Sequence, residues 1–153
     1  MHSLQNKVPP VILVLLFGLI IWVIAIATIQ VPVEQGTRLI LALGLLGMGV
    51  FFCVCGVVSF RRAKTTVNPL SPGSATSMVS SGIYRYSRNP MYVGFALMLL
   101  AWAAYLFAPV SIIGVAGFMV YMNKFQIEPE ENALRELFGQ EFSEYAQRVR
   151  RWL

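Results

Sequence analysis

Chemically versatile side chains gather at two places in this otherwise apolar chain, one before residue 95 and one after residue 125. The first group is Tyr84, Arg85, Arg88, Asn89 and Tyr92, and the second is Gln126, Glu128, Glu130 and Glu131. Arginine holds carboxylates or phosphates through forked hydrogen bonds, and aromatic faces attract sulfonium or quaternary cations. Glutamate can hold an ammonium group or sugar hydroxyls. The two groups would together suit a zwitterionic amphiphile or a nucleoside. The alternative is that Arg85 and Arg88 only anchor a helix end at a membrane boundary.

The amino-acid composition indicates what kind of protein carries these two groups. Hydrophobic residues make up 57% of the 153 residues and charged residues only 12%, whereas soluble domains are about one quarter charged. This balance predicts a polytopic membrane protein. The net charge of +5 comes from bases that border apolar runs, which is typical of topology signals and disfavours nucleic-acid binding.

Several other chemistries are disfavoured by the residue inventory. The two cysteines, Cys53 and Cys55, fall inside an apolar run, and the single histidine is His2. This set does not build a zinc site, and cysteines two residues apart on a helix do not face each other. The glutamates lack the histidine or aspartate partners of a transition-metal site, and there is no GxSxG motif of a serine hydrolase. We therefore expect no metal.

Four apolar stretches predict membrane spans at about 8–29, 39–60, 91–107 and 110–125. The first is long enough to cross about 30 Å of hydrocarbon. A cleaved signal peptide is an alternative for it, because Lys7 precedes the run and Ala25-Ile26-Ala27 resembles a cleavage site. A retained helix is favoured, since the run is long and further spans follow. The last two spans are short and predict a tight hairpin broken at Ala108-Pro109.

The hairpin decides where the two polar groups lie. It must return its end to the side of the membrane where it began, so the Arg-Tyr group and the Glu group should meet at one face. The basic loop 61–90 and the basic tail both favour the cytoplasm. We therefore predict one membrane domain over residues 1–153 with both termini cytoplasmic.

The tail at 128–153 has apolar residues at helical spacing, including Leu134, Phe138, Phe142 and Tyr145, which predicts an amphipathic helix. Gly139 should mark a turn within it. A helix that covers the site or the membrane interface and a solvated helix packed on its own loop both fit this pattern. The expected fold class is thus all-α: a polytopic membrane helical bundle of about four transmembrane helices, with a cytoplasmic tail helix.

Two linked motifs in the second half of the chain carry a family resemblance. The first is Gly82-x-Tyr84-x3-Arg88-Asn89-Pro90-x-Tyr92-x-Gly94. After a hydrophobic hairpin comes Glu130-Glu131-x2-Leu134-x3-Phe138-Gly139-x2-Phe142-x2-Tyr145-x3-Val149. In the order and spacing of these motifs, residues 79–153 resemble the isoprenylcysteine carboxyl methyltransferase and phospholipid methyltransferase superfamily, in particular its small prokaryotic members.

The resemblance implies an integral-membrane methyltransferase that uses S-adenosylmethionine and methylates a lipid or a lipidated small molecule. It further implies a prokaryotic cytoplasmic membrane, with the cofactor framed by both motifs at the cytoplasmic face. Carried over by position, the cofactor-binding residues would be Tyr84, Arg88, Asn89, Pro90, Tyr92, Gly94, Glu130 and Glu131. The residues expected to take part in catalysis are Arg88, Tyr92 and Glu131, with Arg88 orienting an anionic group.

The chain departs from the family pattern at two positions. Asn89 stands where the family usually has histidine, and an amide cannot carry a proton. Gln126 stands where the carboxyl-methylating branch tends to have arginine, which removes a second cation for a substrate carboxylate. These departures keep open a non-catalytic scaffold or small-molecule binder that retained the fold. A transporter component is a third reading. Methylation at O, N or S also stays open.

Overall fold

The computed structural model describes residues 8–63 and 78–153, and in these ranges the chain is helical with no strand. This confirms the all-α prediction. The α-helices are α1 (Pro10–Ala27), α2 (Gln35–Arg62), α3 (Pro90–Leu106), α4 (Ile112–Met122) and α5 (Glu128–Arg148). Short 3₁₀ turns occupy Gly82–Arg85 and Pro109–Ser111, and a π-helical turn occupies Asn123–Ile127. Pro10 and Pro90 open their helices, where a missing N–H costs nothing.

Three helical stretches of the described residues are long and apolar enough to cross a membrane, namely Pro10–Ala27, Gln35–Arg62 and the run that begins at Pro109. The remaining predicted span, 91–107, corresponds to α3, which has 17 residues and is about 26 Å long at 1.5 Å per residue. That length is slightly below the thickness of the hydrocarbon layer. The described helices therefore fit a small membrane bundle.

Helix α1 packs against both arms of the hairpin formed by α3 and α4. The Phe17 and Phe118 rings meet edge to face at 5.7 Å, and Ile21 covers Gly114. These contacts belong to a core whose buried members are Leu13, Ile21, Tyr92, Leu99, Ala103, Val115, Phe118, Met122 and Ile127. Tyr92 thus joins the core to the polar end of the hairpin.

Helix α2 approaches α3 closely at glycine positions. A Cβ on Gly94 would lie 2.5 Å from Cys53 Sγ and 2.6 Å from the Gly49 carbonyl oxygen. A Cβ on Gly56 would likewise meet Met91 Cγ at 2.6 Å. Small residues permit such approaches between membrane helices. Most large side chains of α2 are exposed, as expected of a helix that faces lipid.

The hairpin turns where the sequence predicted, near Ala108-Pro109. Phe107 ends α3 in the left-handed conformation, with φ 50°. Its carbonyl oxygen accepts a hydrogen bond of 3.0 Å from the Val31 N–H. The hairpin tip and the α1–α2 connection therefore lie at the same end of the bundle, opposite the two polar groups.

The predicted boundaries need adjustment around α2 and at the tail. Helix α2 begins at Gln35 and ends at Arg62, so it is longer than the predicted 39–60 span and takes the first residues of the predicted loop 61–90. Within that loop, residues 64–77 lie outside the described part of the chain. Helix α5 follows the π-helical turn without a loop. Gly139 kinks α5 with φ 52°, which confirms the predicted break.

Candidate functional site

The two polar groups meet at one end of the hairpin, as the sequence predicted. Arg88 Nη2 lies 2.7 Å from Glu131 Oε1, and the Tyr92 hydroxyl donates to Glu130 Oε1 at 2.6 Å. Arg88 precedes α3 and Tyr92 lies in its first turn, whereas both glutamates open α5. The hairpin thus brings together residues that lie about 40 positions apart. Arg85 and Glu128 are exposed and make no ion pair with the described residues.

Glu131 is held between two arginines. Arg88 donates to its Oε1 from Nε at 3.1 Å and from Nη2 at 2.7 Å. Arg151 donates from Nε to Oε1 at 3.2 Å and from Nη2 to Oε2 at 2.6 Å. Burial alone would raise the pKa of Glu131, but these hydrogen bonds outweigh burial and lower the pKa below its usual value. Glu131 is therefore an ionised anchor for both cations.

Glu130 has different neighbours, although it is the adjacent residue. Its Oε1 accepts from the Tyr92 hydroxyl and, at 2.8 Å, from Gln126 Nε2, so both donors are uncharged. Burial raises the pKa of Glu130 to about 7; the hydrogen bonds from Tyr92 and Gln126 limit the rise, and the nearby Glu131 charge adds to it. The two adjacent carboxyl groups therefore have well-separated pKa values.

Arg88 also ties the end of α5 to the start of α3. Its Nη1 donates to the Ala146 carbonyl at 2.8 Å and to the Val149 carbonyl at 2.6 Å. With the two bonds to Glu131, four of its five N–H groups serve protein acceptors. In this geometry Arg88 therefore holds the framework of the site together, and its role in orienting an anionic group stays a prediction.

The 149–152 segment lies across the Arg88-Asn89 turn. The Arg88 N–H donates to the Arg150 carbonyl at 2.9 Å, and Asn89 Nδ2 donates to the Arg151 carbonyl at 3.0 Å. Trp152 Nε1 donates to Asn123 Oδ1 at 3.0 Å. The side chain of Asn89 thus has a contact that needs a hydrogen-bond donor and no proton transfer. This gives a physical role to the residue that departs from the family pattern.

The other predicted site residues serve packing or are buried beside the cluster. Pro90 is the buried first residue of α3, and Gly94 faces α2 rather than the polar cluster. The Tyr84 ring packs edge to face on Phe60 at 5.4 Å. The Tyr84 carbonyl accepts from the Tyr145 hydroxyl at 2.7 Å, so α5 is also fixed to the 3₁₀ turn.

Sequence reasoning missed Arg151 and Trp152. Arg151 supplies the second cation on Glu131, and its side chain is 35% exposed. Its Nη1 has no hydrogen-bond partner among residues 8–63 and 78–153. The sequence Arg150-Arg151-Trp152 is the only local pattern that could have identified these two residues. Such a combination of basic and aromatic residues is not specific to a functional site.

Comparison with known proteins identifies sequences that are similar to this chain. The family model described as "Phospholipid methyltransferase" matches residues 37–141, which include the hairpin and both glutamates. An uncharacterized protein of Haemophilus influenzae is 44% identical over 63 residues, 41% of this chain and 100% of that protein.

Methyltransferases with a stated substrate also match. Protein-S-isoprenylcysteine O-methyltransferase B of Arabidopsis thaliana is 27% identical over 107 residues, 70% of this chain and 54% of that protein. A probable protein-S-isoprenylcysteine O-methyltransferase of Oryza sativa subsp. indica is 31% identical over 93 residues, 61% of this chain and 49% of that protein. This chain thus spans about half the length of these two relatives. Because the family model covers more than half of the chain, in the region of the two motifs, the protein belongs to the phospholipid methyltransferase family.

Proposed function

We propose that this protein is an S-adenosylmethionine-dependent methyltransferase that acts on a lipophilic acceptor at the cytoplasmic face of a prokaryotic membrane. The observation that carries the proposal is the polar cluster at the end of the hairpin, where Arg88, Glu131 and Arg151 form one network beside Tyr92 and Glu130. Family membership supports methyl transfer, and the apolar helices support an acceptor that arrives from the bilayer.

The atoms left open by the cluster fit the charged groups of this cofactor. Arg151 Nη1 is open among the described residues and can hold a carboxylate. Glu130 Oε2 is also without a partner in the described ranges, and a carboxylate beside the Tyr84 and Tyr92 phenols would favour a positively charged sulfonium. Arg88, Asn89 and Glu131 hold the framework of the site by their hydrogen bonds, whereas Pro90 and Gly94 contribute packing in α3.

The bound cofactor would supply an activated methyl group on a sulfonium. Methyl transfer from such a donor is a direct displacement, so the protein contributes mainly alignment, exclusion of water and placement of charge. The Arg88–Glu131–Arg151 network would contribute to alignment, because it fixes the beginning of α5 against the beginning of α3. No covalent intermediate with the enzyme is needed.

Direct binding tests the proposal. The purified protein in detergent is titrated calorimetrically with S-adenosylmethionine and with its demethylated product. We expect both to bind, and Arg151→Ala to weaken binding about 10- to 100-fold through loss of a charged hydrogen-bond donor. Arg150→Ala is the matched control, because the Arg150 side chain is exposed and the neighbouring position should leave affinity unchanged.

Absence of binding to the wild-type protein would reject the enzyme and favour the non-catalytic alternative. Equal losses in Arg150→Ala and Arg151→Ala would show that general positive charge, rather than the Arg151 guanidinium, attracts the ligand. Methyl transfer is then measured with labelled donor and extracted membrane lipids.

A further inference from the structure

The arginines of the chain fall into two groups according to what their guanidinium groups bind. Five of the nine donate hydrogen bonds within the described residues, namely Arg38, Arg88, Arg135, Arg148 and Arg151. The other four have exposed side chains that make no ion pair or hydrogen bond in residues 8–63 and 78–153: Arg61, Arg62, Arg85 and Arg150. The charges of this second group are therefore available to another molecule.

Three of these available arginines surround one junction, between the end of α2 and the 3₁₀ turn that precedes α3. Arg61 and Arg62 lie in the last turn of α2, and Arg85 ends the 3₁₀ turn. The two elements touch, because the Phe60 and Tyr84 rings pack edge to face at 5.4 Å. We call Arg61, Arg62 and Arg85 the basic rim. Like charges at one junction repel each other, and an anion bound among them would relieve that repulsion.

The basic rim lies at the depth of the lipid headgroups. Helix α2 has 28 residues and is about 42 Å long at 1.5 Å per residue. A bilayer has a hydrocarbon layer of about 30 Å and measures about 40–45 Å with its headgroups, so the last turn of a spanning α2 extends among the headgroups. Tyr86, next to Arg85, is 71% exposed, and tyrosine is enriched at membrane–water interfaces. Lipid headgroups are therefore the anions that this surface meets first.

We propose that the basic rim binds the headgroups of anionic phospholipids, and that the bound lipid holds the 3₁₀ turn against α2. A guanidinium group donates forked hydrogen bonds to phosphate oxygens, and the negative surface of the cytoplasmic leaflet attracts bases beside membrane helices. Phosphatidylcholine is the weaker partner, because its choline offsets the phosphate charge. The Tyr84 carbonyl accepts from the Tyr145 hydroxyl at 2.7 Å, so the same lipid would steady the attachment of α5. The inference rests on the membrane setting and not on methyl transfer.

The first test measures the binding of individual lipids. The protein in detergent is titrated with phosphatidylglycerol or with phosphatidylcholine, and native mass spectrometry gives the dissociation constant of each. We expect phosphatidylglycerol to bind more tightly, and Arg85→Gln to weaken its binding about two- to fivefold. Arg135→Gln is the matched control, because it removes the same charge from an exposed arginine that donates to Asn132. Equal affinity for both lipids, or equal losses in both variants, would overturn the inference.

Competition distinguishes a lipid from other anions. Inorganic phosphate and a single-stranded oligonucleotide should displace phosphatidylglycerol no more than sodium chloride does at the same ionic strength. Specific displacement by inorganic phosphate would make the basic rim a site for a small soluble anion. Specific displacement by the oligonucleotide would make it a nucleic-acid surface. Either result would reject the lipid as its ligand.

Hydrogen exchange at the 3₁₀ turn tests the second part of the inference and does not depend on activity. The Tyr84 and Tyr86 N–H groups donate hydrogen bonds at this turn. Their exchange should be about twofold or more slower in nanodiscs that contain phosphatidylglycerol than in nanodiscs of phosphatidylcholine alone. The difference should vanish in Arg85→Gln and persist in Arg135→Gln. Equal exchange in both lipids would show that lipid does not hold the turn. A protein with this lipid dependence that binds no S-adenosylmethionine would refute the proposed function alone.

Discussion

Arg151 and Glu131 are 20 residues apart, yet Arg151 Nη2 lies 2.6 Å from Glu131 Oε2. The contact spans the whole of α5 and its kink at Gly139. It is possible because the kink at Gly139 brings Ala146 beside Arg88, which also binds Glu131, and because the 149–152 segment is hydrogen-bonded to Arg88 and Asn89. The tail of the chain is therefore a wall of the candidate site, rather than a free amphipathic helix.

Substitution of Arg151 should separate its contribution to stability from its contribution to binding. Because its side chain is 35% exposed, the loss of the ion pair in Arg151→Ala should lower the free energy of unfolding by no more than about 1 kcal/mol. The amides of residues 149–152 should nevertheless exchange hydrogen faster. Thermal unfolding in detergent and hydrogen exchange measure the two effects, with Arg150→Ala as control. A loss of stability several times larger would mean that the pair is a principal support of the bundle.

The hairpin and the meeting of its two polar groups could be predicted because hydropathy fixes how often the chain crosses the membrane. Once α3 and α4 return to one side, Arg88 and Tyr92 must lie near Glu130 and Glu131. The details of pairing were not predictable in the same way. Either glutamate could have faced Arg88, and only the geometry of the π-helical turn assigns Glu131 to the arginines and Glu130 to Tyr92.

Arg151 and Gly94 show two limits of the sequence pattern. The partner of Arg151 depends on the kink at Gly139 and on the direction of the chain after α5, which no local periodicity encodes. Gly94 was identified with the cofactor motif by its position, whereas its surroundings are Gly49 and Cys53 of α2. Which helices of a bundle become neighbours is decided by shape, and hydropathy contains little information about it.

Close packing between α2 and α3 should make Gly94 intolerant of a side chain. In Gly94→Ala, the new Cβ would lie 2.6 Å from the Gly49 carbonyl oxygen, so the helices must separate. We expect a loss of stability of about 1–3 kcal/mol, seen as a lower midpoint of thermal unfolding in detergent.

Gly47→Ala is the matched control in α2, because a Cβ there meets nothing within 4 Å. Alanine is the better helix former by about 1 kcal/mol, so this variant should be as stable as the wild type or more stable. Equal destabilisation by both substitutions would point to a general need for helix flexibility rather than to the Gly49–Gly94 contact.

The proposed orientation places the site and the α1–α2 connection on opposite sides of the membrane. Glu136 and Gln30 are both exposed. Gln30 lies at the end of the bundle that contains the tip of the hairpin, because the neighbouring Val31 N–H donates to the Phe107 carbonyl. In Glu136→Cys and Gln30→Cys, a membrane-impermeant thiol reagent should label the first from the cytoplasm and the second from the opposite side. The wild type, with Cys53 and Cys55 free in α2, gives the background. Labelling of both positions from one side would contradict the proposed topology.

The two glutamates should give stability opposite dependences on pH. In the folded protein Glu130 keeps its proton up to about pH 7, whereas its ordinary pKa is 4.5. Between these values the folded state binds more protons than the unfolded state, so stability should fall as pH rises. Glu131 has a lowered pKa, so its ion pairs contribute fully above its ordinary pKa and are lost as pH falls through its folded-state pKa.

Thermal unfolding measured across this range distinguishes the two residues. The wild-type midpoint should fall by a few degrees as the pH rises from about 5 to about 7, and Glu130→Gln should remove most of that fall. Glu131→Gln should keep most of the fall, because burial contributes more than the Glu131 charge to the raised pKa of Glu130. It should unfold at a lower temperature throughout, because Arg88 and Arg151 lose their shared anion. If Glu130→Gln retains the full dependence on pH, Glu130 is already ionised in the folded protein, and burial does not raise its pKa as the geometry implies.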